Sequence, residues 1–343
     1  MTDHEKMQKP LHRLEDLAEL AGVSISTISR ALSGSQLVNK ATRQKIIELA
    51  QKNNYQGRFS DRLVNETITG TVSVIIPPPH GRESCLADPF LLSLIGSIGD
   101  ALKEKDCDML LSHYDLSDYH NALELISSGR ADGLIVLGQS SLHANLNEMA
   151  KSFAPFVVWG GQLKGQHYCT VGSDNRQGGR RATNHLLRMG CQHIAFVGDT
   201  ESPEANLRYM GYLDALKEKD ITPDPNLMRP AHFYPESAME TIDTLLEEGT
   251  PFDGIVAASD MIAIGAIRAL NNAGLSVPKD ISVIGYDDVP LAAYTNPALT
   301  TVRQDTAKAG RMMVSKLQRL IKGEKVKSSF LPTDLIIRES CGA

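Results

Sequence analysis

The chain has few cysteines, and they are not arranged for a structural role. Five cysteines in 343 residues are widely separated, their number is odd, and no two form a CxxC pair. They are Cys85, Cys107, Cys169, Cys191 and Cys341. Such scatter is typical of reducing compartments and argues against a disulfide framework and against a structural zinc site. We therefore expect no metal site and no bound cofactor.

Long apolar runs are also missing. The first ten residues, MTDHEKMQKP, are polar where a signal peptide needs an apolar core, and no later stretch is long enough to span a bilayer. The length of 343 residues is too great for one compact core and suits two or three folding units. These features predict a cytoplasmic protein that has no membrane partner.

The motifs of common enzyme classes are absent from the sequence. The chain contains no GxxxxGK[ST] phosphate loop, no GxGxxG at a strand–helix junction, no GxSxG elbow and no HExxH motif. Nothing in it places a nucleophile beside a base. We therefore predict no catalytic residue and a protein that is not an enzyme.

A strong positive charge, the usual mark of a nucleic-acid-binding protein, is also lacking. The formal net charge is −6. Residues 1–66 nevertheless hold ten Lys and Arg against eight Asp and Glu, whereas the remainder holds 25 against 33. The small basic excess lies at the N-terminus, which allows DNA binding there without identifying it.

Two regions of the sequence follow different periodicities. Between residues 10 and 55, apolar residues recur at helical spacing, which predicts three short helices. From residue 71, short β-rich runs alternate with helix-length segments, which predicts doubly wound parallel sheets in two subdomains. The runs are 71–77, 108–114, 132–138, 155–160, 193–199, 253–259 and 281–287. A polar, Gly-bounded segment, 57–70, separates the regions and reads as a linker.

The segment RLEDLAELAGVSISTISRALSG, residues 13–34, has the pattern of a helix-turn-helix. Gly22 suits a positive φ in the turn, and Val23 can plug the core between the two helices. Ser24 is a good N-cap, because its hydroxyl can accept from the backbone N–H of Ser26 or Thr27. These features predict that the second helix begins directly after Ser24.

The second helix has a face suited to the major groove of DNA. Its apolar residues can face inward, which leaves Ile25, Ser26, Ser29 and Arg30 outward. Arg30 can bind guanine O6 and N7 as a bidentate donor, and Ile25 suits a thymine methyl group. A helical cap without function is the weaker interpretation, because a Ser/Thr-rich helix has low intrinsic stability.

With its continuation LVNKATRQKIIELAQKNNY (37–55), this segment resembles the lactose/galactose repressor (LacI/GalR) family. The resemblance extends to GYDDVPLAAYTNPALTTVRQD (285–305) and DLIIRES (334–340). It implies an all-α helix-turn-helix domain (1–56), a hinge (57–70) and a two-lobed α/β effector domain like periplasmic binding proteins (71–343). It also implies that positions 25, 26 and 30 read bases. Phosphate contacts are implied for Ser24, Thr27, Ser29, Asn39 and Thr42, and Tyr55 completes the DNA-binding candidates.

The hinge departs from the family pattern. In the family, this segment becomes a helix on DNA, and a leucine wedges into a minor-groove step, as minor-groove kinking requires. Here Gly57 stands where a proline is usual, and counting from Tyr55 places Val64, not Leu63, at the wedge position. Either residue can serve as the wedge, and a plain flexible linker is the alternative.

Polar and aromatic side chains follow the predicted strands, where two-lobed α/β proteins bind ligands. Carboxylates, an arginine and aromatic rings together suit a neutral polyhydroxy ligand. The candidates are Phe90, Gln139, Trp159, Asp174, Glu204, Arg208, Phe233, Ser259, Asp287 and Gln304. By resemblance, Arg208 and Asp287 are the leading candidates. Family members often carry an acidic residue where Gly160 stands, so the ligand must be anchored differently there. Trp159 can serve as a stacking platform or as core.

The sequence therefore predicts a homodimeric repressor that binds a pseudo-palindromic operator and responds to a small molecule. A mono- or disaccharide is the expected effector, an α-glucoside among them. A purine or nucleoside corepressor on the same fold remains the alternative. A sugar-binding protein without regulatory function is opposed by the helix-turn-helix. The sign of the response, inducer or corepressor, stays open, because the same contacts can stabilise either state.

Overall fold

A computed structural model describes residues 14–32, 37–52, 69–77, 87–112, 114, 116–139, 141–152 and 154–342. The DNA-binding candidates Tyr55, Leu63 and Val64 lie outside the described residues. The domain boundaries at 56 and 70 stay predictions. All of the proposed effector residues are described.

Three short helices form the N-terminal unit. They are α1 (Leu14–Ala21), α2 (Ile25–Leu32) and α3 (Lys40–Lys52). Their apolar faces meet in a small core in which Leu17, Ile28 and Ile46 are fully buried, and Val23 packs against it from the turn. The helical periodicity read from the sequence is thereby confirmed, because each of these residues lies on the inward side of its helix.

The turn and both caps of this unit follow from local chemistry. Gly22 has a φ of 67°, a region that glycine enters without steric cost. The Ser24 hydroxyl accepts from the Thr27 N–H at 3.2 Å, as expected for the N-cap of α2. Asn39 caps α3 in the same way, since its Oδ1 accepts from the Thr42 N–H at 2.8 Å. Helices α2 and α3 are therefore both capped at their N-termini.

The first lobe contains a six-stranded sheet in the order β11-β5-β4-β3-β1-β2. All of its strand pairs are parallel. The strands are β1 (Thr71–Ile75), β2 (Asp108–Ser112), β3 (Gly133–Leu137), β4 (Phe156–Trp159), β5 (Cys169–Ser173) and β11 (Ser329–Leu331). Because helices cover both faces, β3, β4 and β5 are buried at every position.

The second lobe contains a sheet in the order β12-β10-β9-β8-β6-β7. Its pairs are parallel except for the antiparallel edge pair of β10 and β12. The strands are β6 (Ile194–Val197), β7 (Met228–Arg229), β8 (Gly254–Ala257), β9 (Ser282–Asp287), β10 (Thr300–Arg303) and β12 (Asp334–Ile336). Each sheet has its own hydrophobic core, so the two lobes are separate packing units.

Eight helices in these lobes alternate with the strands. They are α4 (Pro89–Lys103), α5 (His120–Ser127), α6 (His143–Ala150), α7 (Asn175–Arg188), α8 (Pro203–Lys217), α9 (Pro235–Glu247), α10 (Asp260–Asn272) and α11 (Thr306–Ile321). Helices α4 and α11 share one face of the first sheet, and α5 and α6 cover the other. None of the described helices is both long and apolar enough to cross a membrane.

The chain passes between the lobes three times. It leaves the first sheet after β5, returns after β10, and crosses again between β11 and β12. The first two crossings begin helices, at which Asp174 caps α7 and Asp305 caps α11 through hydrogen bonds of 3.1 and 2.9 Å to backbone N–H groups. Three short connections of this kind let the lobes move relative to each other while each sheet stays intact.

All seven predicted strands are present, and five strands were not predicted. The sequence of β5, CTVGS, mixes small and polar residues, and β7, β11 and β12 contain only two or three residues each. Strands of this kind take their conformation from the neighbour with which they pair. Their own composition therefore gives no signal.

Helices α7 and α8 approach each other closely because glycines lie between them. A Cβ added to Gly211 would lie 1.9 Å from the Arg176 carbonyl oxygen, and one added to Gly179 would lie 2.1 Å from that of Arg208. Backbone atoms cannot yield as a flexible side chain can. This close contact sets the position of α8, which carries part of the site described below.

We predict that Gly211→Ala lowers the free energy of unfolding by about 1–3 kcal/mol or more, because the methyl group overpacks a backbone contact. Gly96→Ala is the matched control, since the same added atom on α4 would meet nothing within 4 Å. The control should be neutral or stabilising by up to about 1 kcal/mol, from helix propensity alone. Urea unfolding measures both, and equal stabilities for the two variants would contradict this account.

Candidate functional site

A cavity of about 220 Å³ lies between the lobes, at the carboxyl ends of the strands of both sheets. The first lobe contributes the segment from Ala87 to Leu91 and the residues that end β3 and β4. The second lobe contributes α8, the segment 232–235 and the end of β9. Parallel strands of doubly wound sheets place ligands at this edge.

Seven of the ten proposed effector residues line this cavity. They are Phe90, Gln139, Trp159, Glu204, Arg208, Phe233 and Asp287. They come from both lobes, so a molecule in the cavity would contact both. Their convergence supports the rule by which they were chosen, which took polar and aromatic residues just beyond strand ends.

The other three proposed residues do not line this cavity. Asp174 caps α7 at the first crossing. Ser259 is buried and caps α10, since its hydroxyl accepts from the Ile262 N–H at 3.2 Å. Gln304 lies at the second crossing and donates from Nε2 to Asp287 Oδ1 at 2.7 Å. Gln304 thus acts on the cavity through Asp287.

Arg208 is held from several sides. It is 5% exposed, and its Nε donates to Asn175 Oδ1 at 2.8 Å while Nη1 donates to the Ala258 carbonyl. Nη1 also lies 3.7 Å from Asp287 Oδ1. The guanidinium lies 3.8 Å from the ring centroid of Tyr286, in cation–π geometry. The charge of this buried arginine is therefore compensated by a carboxylate, two carbonyl-type oxygens and a ring face.

Asp287 and Asp288 form a strained turn at the end of β9. Their φ angles are 120° and 57°, and each such residue outside glycine costs on the order of 1–3 kcal/mol. Arg338 Nη2 donates a hydrogen bond of 2.6 Å to Asp288 Oδ1. Gln304 donates in the same way to Asp287. The turn directs the Asp287 carboxylate at Arg208 and the cavity.

Burial dominates the electrostatics of the cavity carboxyls. It raises the pKa of Asp287, Glu204 and Asp88, and the positive charge of Arg208 lowers each in turn. In Asp88 and Glu204, hydrogen bonds with backbone groups also lower the pKa. The cavity therefore contains acidic groups whose charged forms would be stabilised by a hydrogen-bond donor of a ligand.

Aromatic rings cover much of the remaining wall. Phe90 and Trp159 lie with ring centroids 5.8 Å apart on the first lobe, opposite Phe233 and Tyr234 of the second. Trp159 is 5% exposed, belongs to the hydrophobic core and also lines the cavity. Rings of this kind pack against the apolar faces of sugars and other flat ligands.

Several wall residues were not among the candidates. Asp88 caps α4 through a 2.9 Å bond to the Leu91 N–H, and Asp199, Ser202, His232 and Tyr234 also line the cavity. Asp199 ends the β-rich run 193–199, so the rule of strand ends applied to it, whereas Asp88 is separated from the run 71–77 by residues 78–87. The segment 232–235 follows the two-residue strand β7, which gave no signal of its own.

The proposed DNA-reading face lies on α2. Ile25 is 44% exposed, and Ser26 and Arg30 are exposed, whereas Thr27 and Ser29 are half-buried. Ile28 and Ala31 are buried on the opposite side. A large apolar residue that stays exposed beside an arginine and a serine matches the surface expected for major-groove contacts.

The described residues include no group of three His, Cys, Asp or Glu side chains that could hold a metal ion. The cavity itself offers oxygen acceptors, one arginine and aromatic rings. This chemistry serves recognition of a polar organic molecule by hydrogen bonds and ring contacts.

We predict that Gln304→Met lowers the free energy of unfolding by about 1–3 kcal/mol, because it removes a donor from the buried carboxylate of Asp287. Methionine keeps nearly the same volume. Gln192→Met, at an exposed position, is the control and should change the free energy of unfolding by less than about 0.5 kcal/mol. Urea titration compares them, and an unchanged Gln304→Met variant would show that the bond does not support the turn.

Two family models match the chain. The model for bacterial regulatory proteins of the lacI family matches residues 13–57, and that for a periplasmic binding protein-like domain matches residues 183–341. The regulator CelR of Thermobifida fusca is 31% identical, over 98% of this chain and 99% of its own length. The repressor PurR of Haemophilus influenzae is 28% identical, over 95% and 98%.

Solved structures agree with these matches. A complex of the transcriptional regulator CelR with cellobiose superposes with a TM-score of 0.71 and 28% identity, covering 96% of this chain and 99% of that one. The lac repressor dimer bound to operator and the anti-inducer ONPF superposes with a TM-score of 0.69 and 26% identity, covering 98% and 100%. The resemblance read from the sequence is confirmed over nearly the whole length, and the chain belongs to the lacI family of bacterial regulatory proteins.

Proposed function

We propose that this DNA-binding transcriptional regulator is a repressor whose operator affinity is set by a sugar bound between the lobes. The observation that carries the proposal is the cavity itself. It combines the buried Arg208–Asp287 pair with aromatic rings on both lobes. Fixed donors and acceptors beside ring faces are the usual means of binding a neutral polyhydroxy molecule.

The relatives support a carbohydrate. CelR, which is related to this chain over its full length, has been solved with cellobiose. We therefore propose a mono- or disaccharide as the effector. PurR is related at similar identity and keeps a purine or nucleoside corepressor as the second candidate, for which the same ring faces are suitable.

For DNA recognition we propose that Ile25, Ser26 and Arg30 read bases, and that Ser24, Thr27, Ser29, Asn39 and Thr42 contact phosphates. Tyr55 and either Leu63 or Val64 complete the DNA-binding set, within a hinge at 57–70. The exposure of the α2 face supports the base-reading residues. The phosphate-contacting set includes both capping residues, which lie at helix N-termini where anions are favoured.

The proposed assembly is a homodimer on a pseudo-palindromic operator, with one recognition helix in each of two successive major grooves. The solved lac repressor relative is a dimer on its operator, which supports this arrangement. The site of action is then the cytoplasm, at the chromosome. We further propose that the chain is not an enzyme, since the cavity chemistry serves binding and the relatives named above are transcriptional regulators.

We predict that a sugar raises the melting temperature of the full-length protein. A ligand at about 100 times its dissociation constant stabilises the fold by about 2.7 kcal/mol. Trp159 is the only tryptophan and lines the cavity, so its emission follows unfolding and responds to occupancy. The panel contains cellobiose, maltose, ribose, hypoxanthine, guanine and adenosine. A shift with the bases or nucleoside alone would replace the sugar by a purine corepressor, and no shift with any compound would contradict both.

We predict that Arg30→Ala weakens specific DNA binding by about 1–3 kcal/mol and relaxes the base preference at one position of each half-site. The operator is first selected from random DNA with the wild-type protein, and sequence preferences are then compared. Arg130→Ala, which removes an exposed arginine outside the helix-turn-helix, is the control. An unchanged sequence preference for Arg30→Ala would remove Arg30 from the base-reading residues.

A further inference from the structure

Two enclosed oxygen atoms in the cavity wall have no donor. Gln139 Oε1 and Glu204 Oε1 are both buried, and neither accepts a hydrogen bond within the described part of the chain. Gln139 follows β3 of the first lobe, and Glu204 lies in the first turn of α8 on the second, so the two atoms belong to opposite walls. A buried acceptor left unpaired is destabilising, and a ligand that donates a hydrogen bond to it would remove that cost.

The orientation of the Gln139 amide is determined by its neighbours. Nε2 lies 2.9 Å from the Gly161 carbonyl oxygen and 2.9 Å from the Tyr168 hydroxyl. A carbonyl oxygen can only accept, so the atom facing it must be the nitrogen. Both amide hydrogens are thereby used within the wall, and Oε1 is the atom left for the cavity.

A second set of contacts fixes the Tyr168 hydroxyl. It accepts from Gln139 and lies 2.9 Å from His143 Nδ1, to which it can donate its own hydrogen. His143 then carries its hydrogen on Nε2, which faces the Lys164 carbonyl at 3.3 Å. Every bond in this series runs in one direction, from Gln139 towards Tyr168 and from there to His143. Turning the amide over would place Oε1 against the Gly161 carbonyl oxygen, where two acceptors meet and no hydrogen bond can form.

Gly160 explains why Gln139 can take this position. A Cβ at residue 160 would lie 2.5 Å from Gln139 Oε1 and 2.6 Å from its Cδ. The glutamine therefore occupies the space that a side chain on β4 would need. The parallel register that pairs Leu137 with Trp159 brings these two segments together. At this position the adjacent strand thus presents a neutral amide oxygen to the cavity.

Glu204 supplies the acceptor on the facing wall. Its Oε2 lies 3.2 Å from the Ser202 hydroxyl, while Oε1 is the enclosed atom without a partner. A Cβ at Gly161 would lie 3.8 Å from Gln139 Oε1 and 2.7 Å from Cδ1 of Leu207, which lies one turn after Glu204 on α8. The two unpaired acceptors thus border the same cavity from opposite lobes.

We propose that Gln139 Oε1 and Glu204 Oε1 form a subsite between the lobes that accepts hydrogen bonds from hydroxyl groups of an uncharged sugar and excludes phosphate and carboxylate groups. Tyr168 and His143 are positioning residues that keep the amide oxygen in the cavity. An anionic group brings acceptors only, so it would leave both oxygens unpaired and repel the carboxylate. This inference rests on the proposed function, since it assigns the effector class of the same cavity.

The first test measures the amide in the ligand-free, full-length protein. Hydrogen exchange of the Gln139 side chain is followed by 15N NMR, with the signal assigned by its loss in Gln139→Glu. We expect exchange at least tenfold slower than for the exposed Gln192 side chain, and clearly faster in Tyr168→Phe. Tyr209→Phe, which removes a hydroxyl from the other lobe, is the control and should have no effect. Exchange as fast as in Gln192, or a rate unchanged by Tyr168→Phe, would overturn the oriented amide.

The second test measures charge selectivity by calorimetry. The probes are cellobiose, maltose and ribose, each beside its phosphate ester: cellobiose 6-phosphate, maltose 6-phosphate and ribose 5-phosphate. We expect a neutral sugar to bind at least tenfold more tightly than its ester, and Glu204→Gln to reduce that ratio, because an amide can donate to an anion. Glu201→Gln, at an exposed position three residues away, should keep the ratio. An ester that binds as tightly as its parent sugar, or a ratio unchanged in Glu204→Gln, would overturn the subsite.

The two failures are distinguishable. If none of the six sugars binds, the sugar effector of the proposed function is wrong, and the subsite loses its ligand. The exchange measurement still decides whether the wall presents an oriented acceptor. If a sugar binds without discrimination against phosphate, the proposed function stands and this inference is wrong.

Discussion

The buried side chain of Arg208 is the constraint on which the ligand-binding domain depends. One guanidinium connects α8, on which it lies, with Asn175 at the start of α7, Ala258 after β8, and the Tyr286–Asp287 end of β9. A charge at this depth is tolerated only while its partners stay in place, since removing one partner of a buried pair is far more costly than its net stabilisation. The arginine therefore fixes the relative positions of the elements that form one wall of the cavity.

Arg208 fixes the wall that belongs to the second lobe, whereas the opposite wall of the cavity belongs to the sheet of the first lobe. The lobes are joined by three short crossings, and residues at two of these crossings also act on the site or on a helix terminus. Asp174 caps α7, and Gln304 holds Asp287. A ligand that contacts both walls makes more contacts when the lobes are closed than when they are open. It therefore binds the two arrangements with different free energies, which is what a ligand needs in order to shift the equilibrium between them. A coupling of about 1–3 kcal/mol to the DNA-binding unit is enough for regulation.

The architecture was predictable because its signals are local. The helical spacing, the Gly22 turn and the Ser24 cap each depend only on residues that are neighbours in the sequence. Buried parallel strands likewise appear as short apolar runs. The cavity was predictable in part, because strand ends converge in this fold. Contacts that depend on register were not predictable. Gln304 donates to Asp287 from the crossing after β10. Gln139 fills the space beside Gly160 because the register of β3 and β4 pairs Leu137 with Trp159.

Thermodynamic linkage measures the coupling between the cavity and the DNA-binding helices. The dissociation constant of the effector is measured by calorimetry with the free full-length protein and again with the protein saturated by its selected operator. By reciprocity, the ratio of the two constants must equal the factor by which the effector changes operator affinity. We expect a ratio of at least about fivefold, which is the lower range of allosteric coupling. Equal dissociation constants for the free and operator-bound protein would show that the cavity does not control DNA binding.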